Sequence, residues 1–131
     1  MISERERPLS GVAILLVEDV PDTRDVLARL LESEGARVSS ASTAREATEL
    51  AAATDFDVLL TDLGLPDIPG DALIRRVLNG ARRRPRVVAI TGYGEPYTGR
   101  ARRAGADAVL TKPVPWNLLT TALGTPHAIP A

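Results

Sequence analysis

Asp62 closes the run Asp57-Val58-Leu59-Leu60-Thr61-Asp62, and three other polar groups end apolar runs in the same way. Val12-Ala13-Ile14-Leu15-Leu16-Val17 leads into Glu18-Asp19, Arg86-Val87-Val88-Ala89-Ile90 into Thr91, and Ala108-Val109-Leu110-Thr111 into Lys112-Pro113. Gathered in one place, these residues supply three carboxylates, a hydroxyl and an ammonium. Three carboxylates alone repel, and at least one pKa rises. A divalent cation and the Lys112 ammonium balance them. Mg²⁺ suits the set, because it takes oxygen ligands in an octahedron and keeps several waters. A few carboxylates, one backbone carbonyl and phosphoryl oxygens would complete its shell. Asp62 could then attack phosphorus as a carboxylate nucleophile, with Thr91 and Lys112 donating hydrogen bonds to phosphoryl oxygens. Such transfer depends mostly on positioning and electrostatic stabilisation. Gly92 has no Cβ to keep its N–H from a ligand, and Pro113 is a candidate for a cis bond after Lys112.

Each residue has a plainer reading when taken singly. An Asp at a strand end commonly caps a helix, Glu18-Asp19 before Pro21-Asp22 is ordinary turn chemistry, and Thr91-Gly92 is a common turn. The functional reading rests on four signals at one structural level, in one order.

That level requires a particular architecture. Short apolar runs bounded by turn residues predict buried parallel strands at about 12–17, 37–40, 57–61, 86–91 and 107–111. Between them lie helical patterns. Residues 22–34 place Val26, Leu27, Leu30 and Leu31 on one apolar face, with Gly35 as the stop. Thr43-Ala44-Arg45-Glu46 fits a capping box opening a helix over 44–53. A third helix over 70–79 turns Leu73, Ile74, Val77 and Leu78 inward. The fourth, over 95–104, contains Pro96 and Gly99, both poor helix-interior residues. The fifth starts near Pro115 and carries Leu118, Leu119, Ala122 and Leu123. Strands alternating with helices imply right-handed crossovers and an α/β fold with a doubly wound parallel sheet. Ligands of such sheets bind outside the carboxyl ends of the strands, where all four polar signals fall.

Bulk properties narrow the classes. The 131 residues suit one domain: a lead-in over 1–10, a folded unit over 11–123 and a tail over 124–131. Sixteen Lys and Arg against 17 Asp and Glu give no electrostatic argument for direct binding of nucleic acid or an anionic membrane. The absence of cysteine excludes disulfide and thiol chemistry. No run approaches the roughly 18 apolar residues of a membrane span. Residues 1–8 lack the apolar core of a secretory signal. A cytoplasmic location is the default expectation.

The motifs Ile-Leu-Leu-Val-Glu-Asp (14–19), Asp-Val-Leu-Leu-Thr-Asp-Leu-Gly-Leu-Pro-Asp-Ile-Pro-Gly (57–70), Val-Ala-Ile-Thr-Gly (88–92) and Gly-Ala-Asp-Ala-Val-Leu-Thr-Lys-Pro (105–113) resemble the receiver domain of two-component response regulators. Pro8-Leu9-Ser10-Gly11, Gly-Leu-Pro-Asp (64–67) and Lys-Pro-Val (112–114) look more like receivers attached to hybrid sensor histidine kinases. The resemblance implies a flavodoxin-like (βα)5 fold with strand order 2-1-3-4-5. It implies a phosphorelay module that catalyses its own phosphorylation and dephosphorylation rather than a conventional enzyme. Carried over by motif, Asp62 matches the phosphoacceptor. Glu18 and Asp19 match the acid pair that holds Mg²⁺, and Gly64 the residue lending a carbonyl to the metal. Thr91 matches the switch hydroxyl and Lys112 the phosphate-binding lysine. Implied partners are a histidine kinase or histidine phosphotransfer domain as donor, and a downstream protein or attached domain that reads the fourth-helix and fifth-strand surface.

Two positions depart from the family pattern. Val109 stands where many receivers carry an aromatic switch residue, and the fourth helix, opened by Gly92-Tyr93-Gly94, is expected to be malleable. Tyr93, two residues after Thr91, would border the site and could gate access to an acyl phosphate. Arg82-Arg83-Arg84 reads as a solvated cluster beyond the third helix. Arg100, Arg102 and Arg103 lie on the proposed signalling face, Trp116 reads as packing at the start of the last helix, and His127 sits in the tail. Three other functions compete with this one. A phosphohydrolase of the haloacid-dehalogenase class needs a second Asp where Gly64 stands. A flavin-binding fold is disfavoured by the scarcity of aromatics. A pseudo-receiver that binds a partner without phosphorylation is the main alternative.

Overall fold

Alternation along each strand decides which layer its side chains meet. In the computed structural model, which describes residues 7–124, the strands are β1 (Ala13–Val17), β2 (Arg37–Ala41), β3 (Val58–Asp62), β4 (Arg86–Thr91) and β5 (Ala108–Thr111). The helices are α1 (Pro21–Ser33), α2 (Ala44–Ala53), α3 (Gly70–Gly80), α4 (Tyr97–Ala104) and α5 (Trp116–Gly124). All strand pairs are parallel, in the order β2-β1-β3-β4-β5. Leu15, Val17, Leu59, Val87 and Ala89 face α2, α3 and α4, where Ala47, Leu73, Ile74, Val77 and Ala101 complete one core. Ile14, Leu16, Val58, Leu60, Val88 and Ile90 face the other way, against Leu31, Leu119 and Leu123 of α1 and α5. The predicted α/β architecture and strand order are therefore those of the chain. Boundaries differ by a residue or two, the largest shift being at α4, which starts at Tyr97 rather than residue 95.

Several expectations need correction. The α1 face is narrower than its pattern suggested: Leu31 is buried, but Val26 and Leu30 are 58% and 46% exposed. The second core ends before reaching them. On α5, Leu118 is likewise outside the core, at 48% exposed. The lead-in is not loose throughout. Leu9 is fully buried in the second core, and its N–H donates to the Glu34 carbonyl at 2.9 Å. Gly35, at φ +101°, is the expected helix stop and also lies against this turn, where a Cβ would come within 2.9 Å of Ser10 Cα. The predicted tail lies outside the described residues except Gly124, which ends α5.

Arg82-Arg83-Arg84 is not simply a solvated cluster. Arg82 lies 3.6 Å from Asp55, Arg83 2.8 Å from Asp57 and Arg84 3.0 Å from Asp107. Two of these acids also close the amino-terminal edge of the sheet. Asp57 Oδ2 accepts from Ala13 N–H at 2.8 Å, and Asp107 Oδ2 accepts from Val87 N–H at 2.7 Å. A charged acceptor on a half-buried N–H is worth more than an exposed ion pair. Asp57→Ala should therefore cost about 1–3 kcal/mol in urea denaturation, because Ala13 N–H loses its partner. Arg83→Ala should cost less than about 1 kcal/mol. Equal losses would show that the ion pair, not the backbone clip, carries the stabilisation.

Candidate functional site

Strand register brings the predicted residues to one edge. Val17 pairs with Thr61, Asp62 with Ile90 and Thr91 with Thr111, so Glu18, Asp62, Thr91 and Lys112 stand within two residue steps of a common line. Asp62 is the last residue of β3. Its Oδ1 accepts from Gly64 N–H at 2.8 Å, and its Oδ2 accepts from Lys112 Nζ at 2.6 Å. The hydrogen bond to Asp62 holds the Lys112 ammonium above the usual lysine range, against the opposing effect of burial. Lys112 N–H donates to the Thr91 carbonyl at 2.8 Å, which carries the β4–β5 ladder up to the site. The Lys112–Pro113 bond is cis, and so is Glu95–Pro96.

Glu18 is buried, at 6% exposed, whereas Asp19 is half-buried. Val20 N–H donates to Glu18 Oε2 at 3.2 Å, and Arg24 donates to the Glu18 carbonyl at 2.8 Å. Burial pushes the Glu18 carboxyl above the ordinary carboxylate range. The Asp62 charge and a hydrogen bond shared with Asp19 push the same way, while the Val20 N–H and the Lys112 charge oppose. The acids thus sit close enough to repel. Among the described residues, no group of three or more acid, His or Cys side chains forms a ready cation cage. The set still fits Mg²⁺, which is commonly held by one or two carboxylates with several retained waters. Gly64 lies beside Asp62, with its N–H turned to the carboxylate.

Thr91 is buried at 2% exposed, and its Oγ1 accepts from Tyr93 N–H at 3.0 Å. Tyr93 borders the site through its backbone but turns its ring to solvent, at 71% exposed. That ring lies 5.5 Å from Tyr97, over which Arg100 sits at 5.9 Å. Among the described residues a Cβ at Gly92 would meet nothing within 4 Å, so their packing does not require glycine there. Val109 is half-buried against the core that holds Ala101 and Ala104 of α4. A cleft of about 250 Å³ opens between Glu18, Asp62 and Lys112 and runs down to Leu27, Ile90 and Leu119.

Two residues that shape the surroundings of the site are not signalled by the sequence, Arg24 and Asp67. Arg24 gave no signal, because a charged residue on the first turn of a helix is commonplace. Asp67 gives none either, because an acid after a proline in a loop is ordinary turn chemistry. Its two oxygens accept from Ala44 and Arg45 N–H, each at 3.0 Å.

Comparison with known proteins adds an independent line. The family model for the response regulator receiver domain matches residues 14–124. The sensor histidine kinase AruS of Pseudomonas aeruginosa is 39% identical over 120 residues, covering 88% of this chain but only 12% of that protein. Among solved structures, a response regulator protein from Burkholderia pseudomallei with a phosphorylated aspartic acid, calcium ion and citrate superposes with a TM-score of 0.79. It is 32% identical, over 88% of this chain and 68% of that one. The receiver domain of sensor histidine kinase PA1611 from Pseudomonas aeruginosa, with a magnesium ion coordinated in its active-site cleft, gives 0.76 at 26% identity, over 88% and 98%.

The charge on Glu18 should be visible in stability. A carboxyl whose folded pKa lies above its unfolded value contributes fully below the unfolded pKa and loses that contribution as pH rises through the folded one. In EDTA at pH 7, Glu18→Gln should therefore raise the melting temperature by about 4 °C, on the order of 1 kcal/mol for a domain this size. The gain should fade as pH drops to about 4, near the ordinary carboxylate range. A variant less stable than wild type at pH 7 would contradict the buried repulsion.

Proposed function

The chain belongs to the response regulator receiver domain family, and on that basis we propose that Asp62 is its phosphoacceptor. A receiver is a module of two-component signalling, not a conventional enzyme. The observation that carries the assignment is the Asp62 carboxylate at a strand end, 2.6 Å from Lys112 Nζ and next to the buried Glu18. The donor is a phosphohistidine of a histidine kinase or histidine phosphotransfer domain. An Asp62 oxygen attacks phosphorus and the P–N bond breaks. Its electron pair stays on the imidazole, which picks up a proton.

The chain's own residues do the positioning. Lys112 exchanges an Asp62 oxygen for a phosphoryl oxygen. Thr91 accepts from Tyr93 N–H and still has its own hydroxyl proton to donate. Glu18, Asp19, Asp62 and the Gly64 carbonyl are the residues that would hold Mg²⁺, which neutralises charge on the phosphoryl oxygens when bound. The Burkholderia and PA1611 structures, one with a phosphorylated aspartic acid and one with a magnesium ion in its cleft, support this reading. So does the likeness to sensor histidine kinases, which favours a receiver of the hybrid type acting in the cytoplasm.

The readout surface is α4 with β5. Because Val109 offers no aromatic ring to swing, the change is carried by the start of α4. There Glu95 Oε1 accepts from Thr98 Oγ1 and from Gly99 N–H, and Tyr93 leans on Tyr97. Amide hydrogen exchange over 93–104 should therefore change on adding a beryllofluoride phosphoryl analogue; unchanged protection would remove α4 from the signal.

Incubation with Mg²⁺ and acetyl phosphate, followed by intact mass, should show one phosphoryl adduct. The adduct should be absent from Asp62→Asn and from samples in EDTA. No adduct with acetyl phosphate or phosphoramidate would favour a pseudo-receiver that binds partners without phosphorylation.

A further inference from the structure

The segment between β3 and α3 is tied down at three points. Gly70 N–H donates to the Leu63 carbonyl at 3.1 Å and closes its base. The closure is so tight that a Cβ at Gly70 would lie 2.5 Å from Leu63 Cα. Next to the site, Gly64 N–H is held on Asp62 Oδ1. At the far end, Asp67 spans 22 and 23 residues of sequence to receive Arg45 and Ala44 N–H on its two carboxylate oxygens.

These contacts are more than the first turn of α2 needs from a distant residue. Thr43 already caps Glu46 N–H at 3.1 Å, and Glu46 reaches back to Ser42 N–H at 2.8 Å. Asp67 is itself exposed, and its carboxyl lies below the usual range because Ala44 N–H, then Arg45 N–H, bind its charged form. Its effect is to fix the chain that leaves Asp62. Only four residues, Leu63 to Pro66, separate Asp62 from the clip. Pro66 has a locked φ, and Leu63 and Leu65 pack against the core. The Gly64 peptide is therefore held from both sides.

We infer that Asp67 is a positioning residue for the cation site: by clamping the β3–α3 loop to the amino end of α2, it holds Asp62 and the Gly64 carbonyl where Mg²⁺ takes them together. The inference rests on the receiver reading above and adds to it a residue that touches neither metal nor phosphate. Groups that orient metal ligands through hydrogen bonds typically change affinity by about 10–100-fold when removed.

Isothermal titration of Mg²⁺ into the full chain without a phosphodonor tests it directly. Asp67→Ala should weaken Mg²⁺ binding about tenfold. Asp67→Asn keeps one acceptor oxygen and the fold, and should fall between Asp67→Ala and wild type. Thr43→Ala is the control, since it removes a cap from the same helix end without touching the loop. It should lower the melting temperature but leave Mg²⁺ affinity unchanged. With phosphoramidate, the Asp67 variants should need more Mg²⁺ for half-maximal rate yet approach the wild-type rate at saturation. Wild-type affinity in both Asp67 variants, or an equal loss in Thr43→Ala, would overturn the positioning role while leaving the receiver reading intact. A wild type that neither binds Mg²⁺ nor takes a phosphoryl group on Asp62 would overturn both.

Discussion

A parallel strand covered on both faces has nowhere along its length for a charge. Each interior residue of β1, β3 and β4 points into one of two apolar layers, and among them only Thr61 carries a polar side chain, which donates to the Asp62 carbonyl at 2.8 Å. An ionised group placed there would lose its hydration without gaining a partner. Polar residues are therefore displaced to the ends of the strands. Because all the strands run the same way, the carboxyl ends gather on a single edge. The convergence of Glu18, Asp62, Thr91 and Lys112 is a consequence of this constraint.

The two edges of the sheet use the same chemistry differently. At the amino edge, Asp57 and Asp107 each hold a backbone N–H and a guanidinium. Each of these acids is matched by a cation and a backbone donor from within the protein, and their place is structural. At the carboxyl edge the acids outnumber the cations. Glu18, Asp19 and Asp62 share one nearby ammonium, and the burial of Glu18 raises the cost of keeping it ionised. The excess of negative charge favours positive charge arriving at this edge, whereas the amino edge is already matched by its own guanidinium groups. Repulsion that weakens the unliganded fold becomes attraction once positive charge arrives.

The parts of this arrangement that follow from period and punctuation were legible in the sequence. Strand interiors, the α2 boundaries and the residues at the carboxyl edge come from patterns local to a few residues. Contacts that depend on the docking of distant segments were not legible. Thr43 behaves as the expected cap, but Glu46 closes on Ser42 instead of Thr43, and Asp67 from the β3–α3 loop takes the Ala44 and Arg45 N–H groups, a contact no local pattern announces. Arg82, Arg83 and Arg84 read as solvated because their partners lie 23 to 27 residues away along the chain. The α1 pattern overstated burial for a related reason. A hydrophobic stripe shows which face is apolar, but the width of the layer beneath it depends on neighbours such as α5, whose own Leu118 is also left outside.

The burial of Leu9 bears on where this unit can be cut. The match to the family model begins at residue 14, yet Leu9 fills a fully enclosed position beside Leu31 and Leu123, with its Cδ2 close against the last residue of α5. Excision at the first strand would leave a leucine-sized void, a defect that typically costs about 2–5 kcal/mol in a packed core. It would also strip the Glu34 carbonyl of its donor. A fusion or transplant that treats the repeating pattern as the whole module would carry that defect into its new setting. The smallest transferable piece is set by what is enclosed, and it begins several residues before the pattern does.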